Sequence, residues 1–295
     1  MSSASSRSSA GRTIAPATRM GAVHLTVSQL ERSLDYWQRQ IGLRVHEREG
    51  RVAALGTGGE DLVVLHEEPG APTVRGHTGL FHLALLLPER SDLARWLMHA
   101  AEGRVPLSGM SDHYVSEAIY LSDPDGHGIE IYADRPRSEW QWTGERLEMG
   151  TIPLDVEALV GTIADTPPQE FTGMPPGTTM GHVHLHVRDV DEADAFYCDA
   201  LGFDVTARYG DQATFLSAGG YHHHLGANVW AGRGASPPPP GSASLRHATI
   251  VLPDRAEVDR VAGWAADAGS EPLAQSDGVL IRDPSQNALL LVASG

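Results

Sequence analysis

The sequence predicts an α+β protein made of four strand–helix–strands units in two halves, and three observations predict it. Gly21-Ala-Val-His24-Leu-Thr-Val27 lines up with Gly181-His-Val-His184-Leu-His-Val187 at an offset of 160, and self-similarity of this kind marks a repeated structural unit. The register continues without a gap, Gly42 matching Gly202 and Gly50 matching Gly210. A weaker pair follows: Phe81-His82-Leu-Ala-Leu-Leu-Leu-Pro88 resembles Arg246-His247-Ala-Thr-Ile-Val-Leu-Pro253, and each leads to an Asp-Pro turn, at Asp123-Pro124 and Asp283-Pro284.

Residues 1–19 are rich in Ser and Arg and lack an apolar stretch, so a disordered tail without a secretory signal is expected. The first domain is placed at 20–134. Its opening VHLTV alternates as a strand does, and Leu30, Leu34, Trp37 and Ile41 line one face of a helix over Gln29–Ile41 that stops at Gly42. A second unit follows with the strand Phe81–Pro88, a helix over Ser91–Glu102, and a turn at Asp123-Pro-Asp-Gly126 before the strand Gly128–Tyr132. Asp123 and Asp125 read as turn residues, and His127 beside them as solvent-exposed. Residues 135–179 form a linker with a helix near Leu154–Ala164. The second domain, 180–293, repeats the pattern with helices over Val190–Leu201 and Arg255–Ala268 and an exposed proline-rich loop at Ser236–Ser242.

Composition limits the chemistry. The chain has 295 residues and a formal charge of −16, which argues against nucleic acid or an anionic membrane surface as partner. No apolar run approaches a membrane span, and the cytoplasm is the default location. One cysteine, Cys198, allows no internal disulfide or redox pair, and all 22 basic residues are arginine, so Schiff-base chemistry has no lysine to use. Fifteen histidines remain as the chemical resource. His24 and His82 lie on the opening strands of units one and two. Glu130 alternates with Ile129 and Ile131, and burying such a carboxylate is costly unless a cation or donor meets it. In the second half Leu290 stands at the position of Glu130, so His184 and His247 lack an equivalent third partner. His182, His184 and His186 on one strand face, with His222, His223 and His224 on another strand, are open to several readings: another metal site, a pocket lining or a cap on the barrel mouth.

Four such units, with VSEAIYLSDPDGHGIEIYADRPR and SAGGYHHHLGANVWAGR within them, resemble the vicinal oxygen chelate superfamily from Met20 to Val292. That superfamily includes glyoxalase I, bleomycin-resistance proteins and type I extradiol dioxygenases, and these strings are most similar to bacterial catechol-2,3-dioxygenase-type proteins. The resemblance implies βαβββ modules forming two half-open barrels. It implies ring cleavage of a small aromatic diol with O₂ at Fe²⁺, or alternatively Mn²⁺ or another divalent metal. Two histidines and a carboxylate can hold such a metal and leave positions open. The family draws a histidine from each of two paired units and a glutamate ending the second, which gives His24, His82 and Glu130 as metal ligands. By the same resemblance His66 and His113 are acid/base candidates, and Tyr120, ten residues before Glu130, is the active-site tyrosine. The alternatives are an isomerase or lyase of the same fold using another divalent metal, and a non-enzymatic drug- or metabolite-binding protein. Assembly of identical copies is left open.

Overall fold

The computed structural model describes residues 11–167 and 170–295. Residues 1–10 of the expected disordered tail lie outside the described residues. Residues 11–18 contradict that expectation: Ile14 is buried and its amide donates to the Gly202 carbonyl, while the Ala15 amide donates to Glu257. One apolar side chain and two anchored amides suffice to hold this segment against the second half.

All four units form, each with one helix and four strands. Unit one holds β1 (Arg19–Val27), α1 (Leu30–Tyr36), β2 (Arg44–Glu49), β3 (Val52–Gly56) and β4 (Asp61–Glu67). Unit two holds β5 (Gly79–Leu86), α2 (Arg90–Glu102), β6 (Gly109–Asp112), β7 (Ser116–Ser122) and β8 (Gly128–Asp134). The linker contributes a helix shorter than expected, α3 (Val156–Gly161). Unit three holds β9 (Thr179–His186), α4 (Val190–Asp194), β10 (Asp204–Tyr209), β11 (Ala213–Ser217) and β12 (Leu225–Asn228). Unit four holds β13 (Leu245–Leu252), α5 (Arg255–Asp267), β14 (Leu273–Ala274), β15 (Val279–Arg282) and β16 (Ala288–Ala293). Helices α1 and α4 each widen at the same place into a π turn, Trp37–Ile41 and Ala195–Ala200, before glycine ends the element. No helix among the described residues is long and apolar enough to cross a membrane.

The pairing of units departs from the expected halves. One sheet runs β14-β15-β16-β13-β1-β4-β3-β2, joining unit one to unit four. The other runs from the linker strand Ile152–Pro153 through β6-β7-β8-β5-β9-β12-β11-β10, joining unit two to unit three. The opening strands meet antiparallel at each junction, with His24 opposite His247 and His82 opposite His184. Hydrophobic periodicity marks which face of a strand is buried, and every unit offers the same free edge, so it does not choose the partner.

Each strand turns one face to the helices and one into the hollow of its curled sheet. On β8, Ile129, Ile131 and Ala133 join the main apolar core, and Glu130 and Tyr132 face the other way. On β5, Leu83 and Leu85 do the same and leave His82 and Ala84 on the hollow side. The polar row along unit two and unit three is therefore a product of strand alternation.

Candidate metal centre

Three strands of the second sheet carry the site. β5 runs between β8 and β9, and Ala84 is opposite Glu130 on one side and His182 on the other. A methyl group at that central position leaves room for the two flanking side chains to reach each other above it. His82, two residues along β5, completes the group. Glu130 Oε2 lies 3.0 Å from His82 Nε2 and 3.2 Å from His182 Nε2. His82, Glu130 and His182 each offer a ligand atom within 4.8 Å of the others. All three are buried, at 5%, 2% and 1% exposure. His82 Nε2 points off any hydrogen-bond direction and is left unpartnered inside the protein. Buried polar groups are rarely orphaned, and three ligand atoms converging with one nitrogen unsatisfied are what a divalent cation would complete.

Electrostatics agree with that use. Burial alone would raise the Glu130 carboxyl, but the His182 and His82 rings beside it hold it well below the usual range. Burial pushes His182 down to about 4, and it takes His184 and His223 well below their ordinary value. The site thus presents an ionised carboxylate and, at His182, a neutral imidazole, the protonation states that ligate metal.

His24, expected as a ligand, is elsewhere. It lies on β1 in the other sheet, where its Nδ1 is 3.0 Å from His66 Nε2 and its ring stacks on His247 at 4.0 Å. Because unit one pairs with unit four, His24 has no route to Glu130. The offset of 160 places Ala22, not His24, at the position of His182. His66 also belongs to this second cluster, so the structure does not bring the expected acid/base to the triad. Burial and Arg246 lower it to about 4. Ala22, His247 and Leu290 are the repeat equivalents of His182, His82 and Glu130, and only the histidine survives.

His113 and Tyr120 do reach the centre. Tyr120, on β7, is directly opposite Glu130 across the hairpin of β7 and β8. Its hydroxyl is 2.7 Å from His113 Nε2, and His113 Nδ1 is 2.7 Å from the Gly150 carbonyl. A carbonyl only accepts, so Nδ1 carries the proton, and Nε2 accepts from the Tyr120 hydroxyl. Burial and the Glu130 charge raise Tyr120 well above its ordinary value, which keeps the phenol a donor. The linker therefore holds His113 in place.

A second chain of hydrogen bonds enters from the opposite side. Asp134 Oδ1 accepts from His222 Nε2 at 2.9 Å, and the Nδ1 atoms of His222 and His223 are 2.7 Å apart. With Nε2–H given to Asp134, His222 Nδ1 is the acceptor and His223 Nδ1 the donor, so His223 Nε2 is left unprotonated. The His223 ring packs on His182 at 4.1 Å. Of the open readings for the second-half histidines, lining a pocket describes His184 and His223, whereas His182 belongs to the metal group. Gly226 beneath His184 is required by space: a Cβ there would lie 2.7 Å from the imidazole Cγ.

These groups line a cavity of about 220 Å³, walled by Phe81, Met149, Tyr209, Phe215 and Trp230. Asp123 is buried and caps its own turn, and His127, expected in solvent, is also buried, with Nδ1 2.9 Å from Asp123 Oδ2. Asp125 ties the turn to unit one through Ser28 and Arg32.

Comparison with known proteins bears on this site. The family model described as Glyoxalase/Bleomycin resistance protein/Dioxygenase superfamily matches residues 19–131 and 179–289. A Bacillus subtilis (strain 168) protein named catechol-2,3-dioxygenase is 44% identical over 278 residues, which cover 92% of this chain and 96% of the relative. Among solved structures, glyoxalase I from Zea mays superposes with a TM-score of 0.58 at 17% identity, over 94% of this chain and 92% of that one. The cppA protein from Streptococcus pneumoniae TIGR4 gives 0.55 at 12% identity, over 94% and 99%. At these identities the two structures speak for the fold.

Proposed function

Because this chain belongs to the glyoxalase/bleomycin resistance protein/dioxygenase superfamily, we propose that it is an extradiol dioxygenase with a divalent metal held by His82, Glu130 and His182. Fe²⁺ is the leading candidate, with Mn²⁺ the alternative. The substrate is an aromatic 1,2-diol, and the ring opens beside the hydroxyl pair. Both atoms of O₂ enter the product, so no external reductant is required. The observation that carries the reading is the convergence of two imidazoles and one carboxylate at the wall of an apolar cavity. Such a set leaves adjacent coordination positions for two small ligands. The name of the Bacillus relative supports the same reading.

When bound, the metal supplies orientation and Lewis acidity to the diol and O₂. The chain's own residues do the rest. Once His113 is protonated at Nε2, the Tyr120 hydroxyl accepts from it and donates its own proton towards the place where negative oxygen develops, next to Glu130. His223 Nε2, left unprotonated by the His222–Asp134 chain, accepts a diol proton and returns it later. His113 is a second proton carrier, coupled through the Tyr120 hydroxyl. Phe81, Phe215 and Trp230 hold the ring and exclude water. The reading places the enzyme in the cytoplasm.

The test is anaerobic loading with Fe²⁺, then exposure to catechol and O₂ while ring-fission absorbance and oxygen uptake are followed. Stoichiometric O₂ uptake with a yellow semialdehyde product is expected. Metal-loaded protein that consumes no O₂ across a panel of diols would remove the proposal.

A further inference from the structure

A second cavity, of about 660 Å³, adjoins the one beside the triad and shares Phe81, His82, Tyr120 and Trp230 with it. Its outer wall comes from the loop before β5, the turn before β8 and the residues entering β13, so both sheets contribute. This volume falls within the ~300–1,000 Å³ of small-molecule pockets. A diol ring held at the triad fills much of the inner cavity, about 220 Å³, and a substituent on that ring has the outer one to enter.

Two features of the outer wall are not explained by the fold. His127, 5% exposed, donates from Nδ1 to Asp123 Oδ2, so Nε2 is an acceptor, and it has no partner in the protein. The internal repeat shows the structural solution at this place. Asn287 stands at the equivalent position, and its amide nitrogen donates both to Asp283 and to the His186 carbonyl. The imidazole in unit two instead leaves a buried acceptor at the cavity wall for which the chain supplies no donor.

Arg75 is the second feature. It is exposed on the loop before β5 at the cavity rim, and it makes no ion pair or side-chain hydrogen bond among the described residues. The carboxylate in the same wall, Asp125, is already answered: Oδ1 accepts from Arg32 and the Ser28 hydroxyl, and Oδ2 from the Ser28 amide. His77 gives its Nδ1 proton to the Ser236 carbonyl. Outside the triad, the outer cavity therefore presents one unanswered cation at its rim and one unanswered acceptor deep in its wall.

We infer that the substrate is a diol ring with a polar arm in the outer cavity. A hydroxyl or ammonium on the arm donates to His127 Nε2, and a carboxylate at its end meets Arg75. The order along the arm follows from depth, since His127 is buried and Arg75 is exposed. This inference rests on the ring-cleavage reading above and specifies its substrate class, an aryl hydroxy or amino acid in place of a plain catechol.

The test is calorimetric titration of Zn²⁺-loaded protein, which reads binding without turnover. The probes form a series. To 4-propylcatechol, 3-(3,4-dihydroxyphenyl)propanoate adds the carboxylate; 3-(3,4-dihydroxyphenyl)lactate and 3,4-dihydroxyphenylalanine then add a hydroxyl or an ammonium. The carboxylate is expected to tighten binding ~5-fold, the scale of a solvent-exposed ion pair. The better of the two donors should add a further ~10-fold and identifies the native group. Arg75→Gln should abolish the first gain and keep the second. His127→Asn, which copies the repeat, should abolish the second and keep the first. Equal affinity of the wild-type protein for the whole series overturns the inference and leaves ring cleavage standing. Gains that persist in both folded variants overturn it too. If no probe binds the metal-loaded protein, catechol itself included, the ring-cleavage reading falls and the inference with it.

Discussion

Ala22 and His182 occupy the same position of the internal repeat, two residues before His24 and His184 respectively. One is a methyl group in the first sheet and the other a metal-ligating imidazole in the second. At the third ligand position the contrast is repeated, with Leu290 opposite Thr249 as Glu130 is opposite Ala84. The protein therefore carries one equipped centre and one stripped of two ligands. Purified wild-type protein should bind one divalent metal per chain. The double variant Ala22→His, Leu290→Glu restores the set around His247, and metal analysis should then find two.

Glu130→Gln removes the only anionic ligand and keeps the side-chain volume. Bound metal should fall at least ~10-fold with the fold retained, because a neutral amide is a poor partner for a hard cation. Circular dichroism and metal analysis of the same sample check this. Full occupancy would mean that the ligands lie elsewhere.

The ligand error shows what was legible in the sequence. The units, their helices and the alternation that turns Glu130 to the hollow face of its sheet followed from periodicity and from the repeat. His82, Glu130, Tyr120 and His113 come together as expected, because all four belong to unit two and their placement depends on local strand pairing. His24 and His66 failed because their placement depends on which unit lies beside which. The repeat did contain the missing ligand, since three alternate histidines on β9 gave three choices on one face. Choosing His182 among them needed the register of β9 on β5. His222 and Asp134 are far apart in sequence, so no spacing rule joins them.

Proton carriers should separate from ligands by experiment. His223→Phe and His113→Phe should retain metal and lose ~10²–10⁴ in turnover, the usual cost of a missing positioned acid/base. His66→Phe should retain both metal and wild-type turnover, since His66 bonds His24 in the other sheet. A His66 variant as slow as the His223 variant would contradict this assignment of roles.

Asp134→Asn leaves an amide able to donate to His222 and so to reverse the tautomers along the chain. Turnover should fall ~10–100-fold with metal content unchanged. The pH–rate profile should change on one limb, because the proton held on His223 Nδ1 is no longer dictated by Asp134. An unaltered profile would reduce this chain to packing.

Acid should destabilise the protein through the first sheet. Burial, with His247 and His66 close by, lowers His24 to about 3, and burial with Arg246 and His247 lowers His66 to about 4, both from 6.5. Below pH 6.5 the unfolded chain takes up these protons and the folded one does not. The stability is complete above pH 6.5 and is lost as pH falls towards 4 and then 3. Replacing both by Gln should flatten urea midpoints over that window. A steeper dependence in the variant would refute the linkage.

The crossing of units between sheets changes what a cut in the linker would mean. Residues 20–134 and 180–293 are each a continuous stretch, but neither owns a complete sheet, since β5 needs β9 and β1 needs β13. Severed, the two pieces would be complementary subunits of an intertwined heterodimer. The linker then acts as a covalent tether that turns a bimolecular assembly into a folding step and raises the local concentration of one half around the other. It also carries Gly150, whose carbonyl orients His113. A nicked protein could therefore reassemble its metal centre and still depend on which fragment kept residue 150.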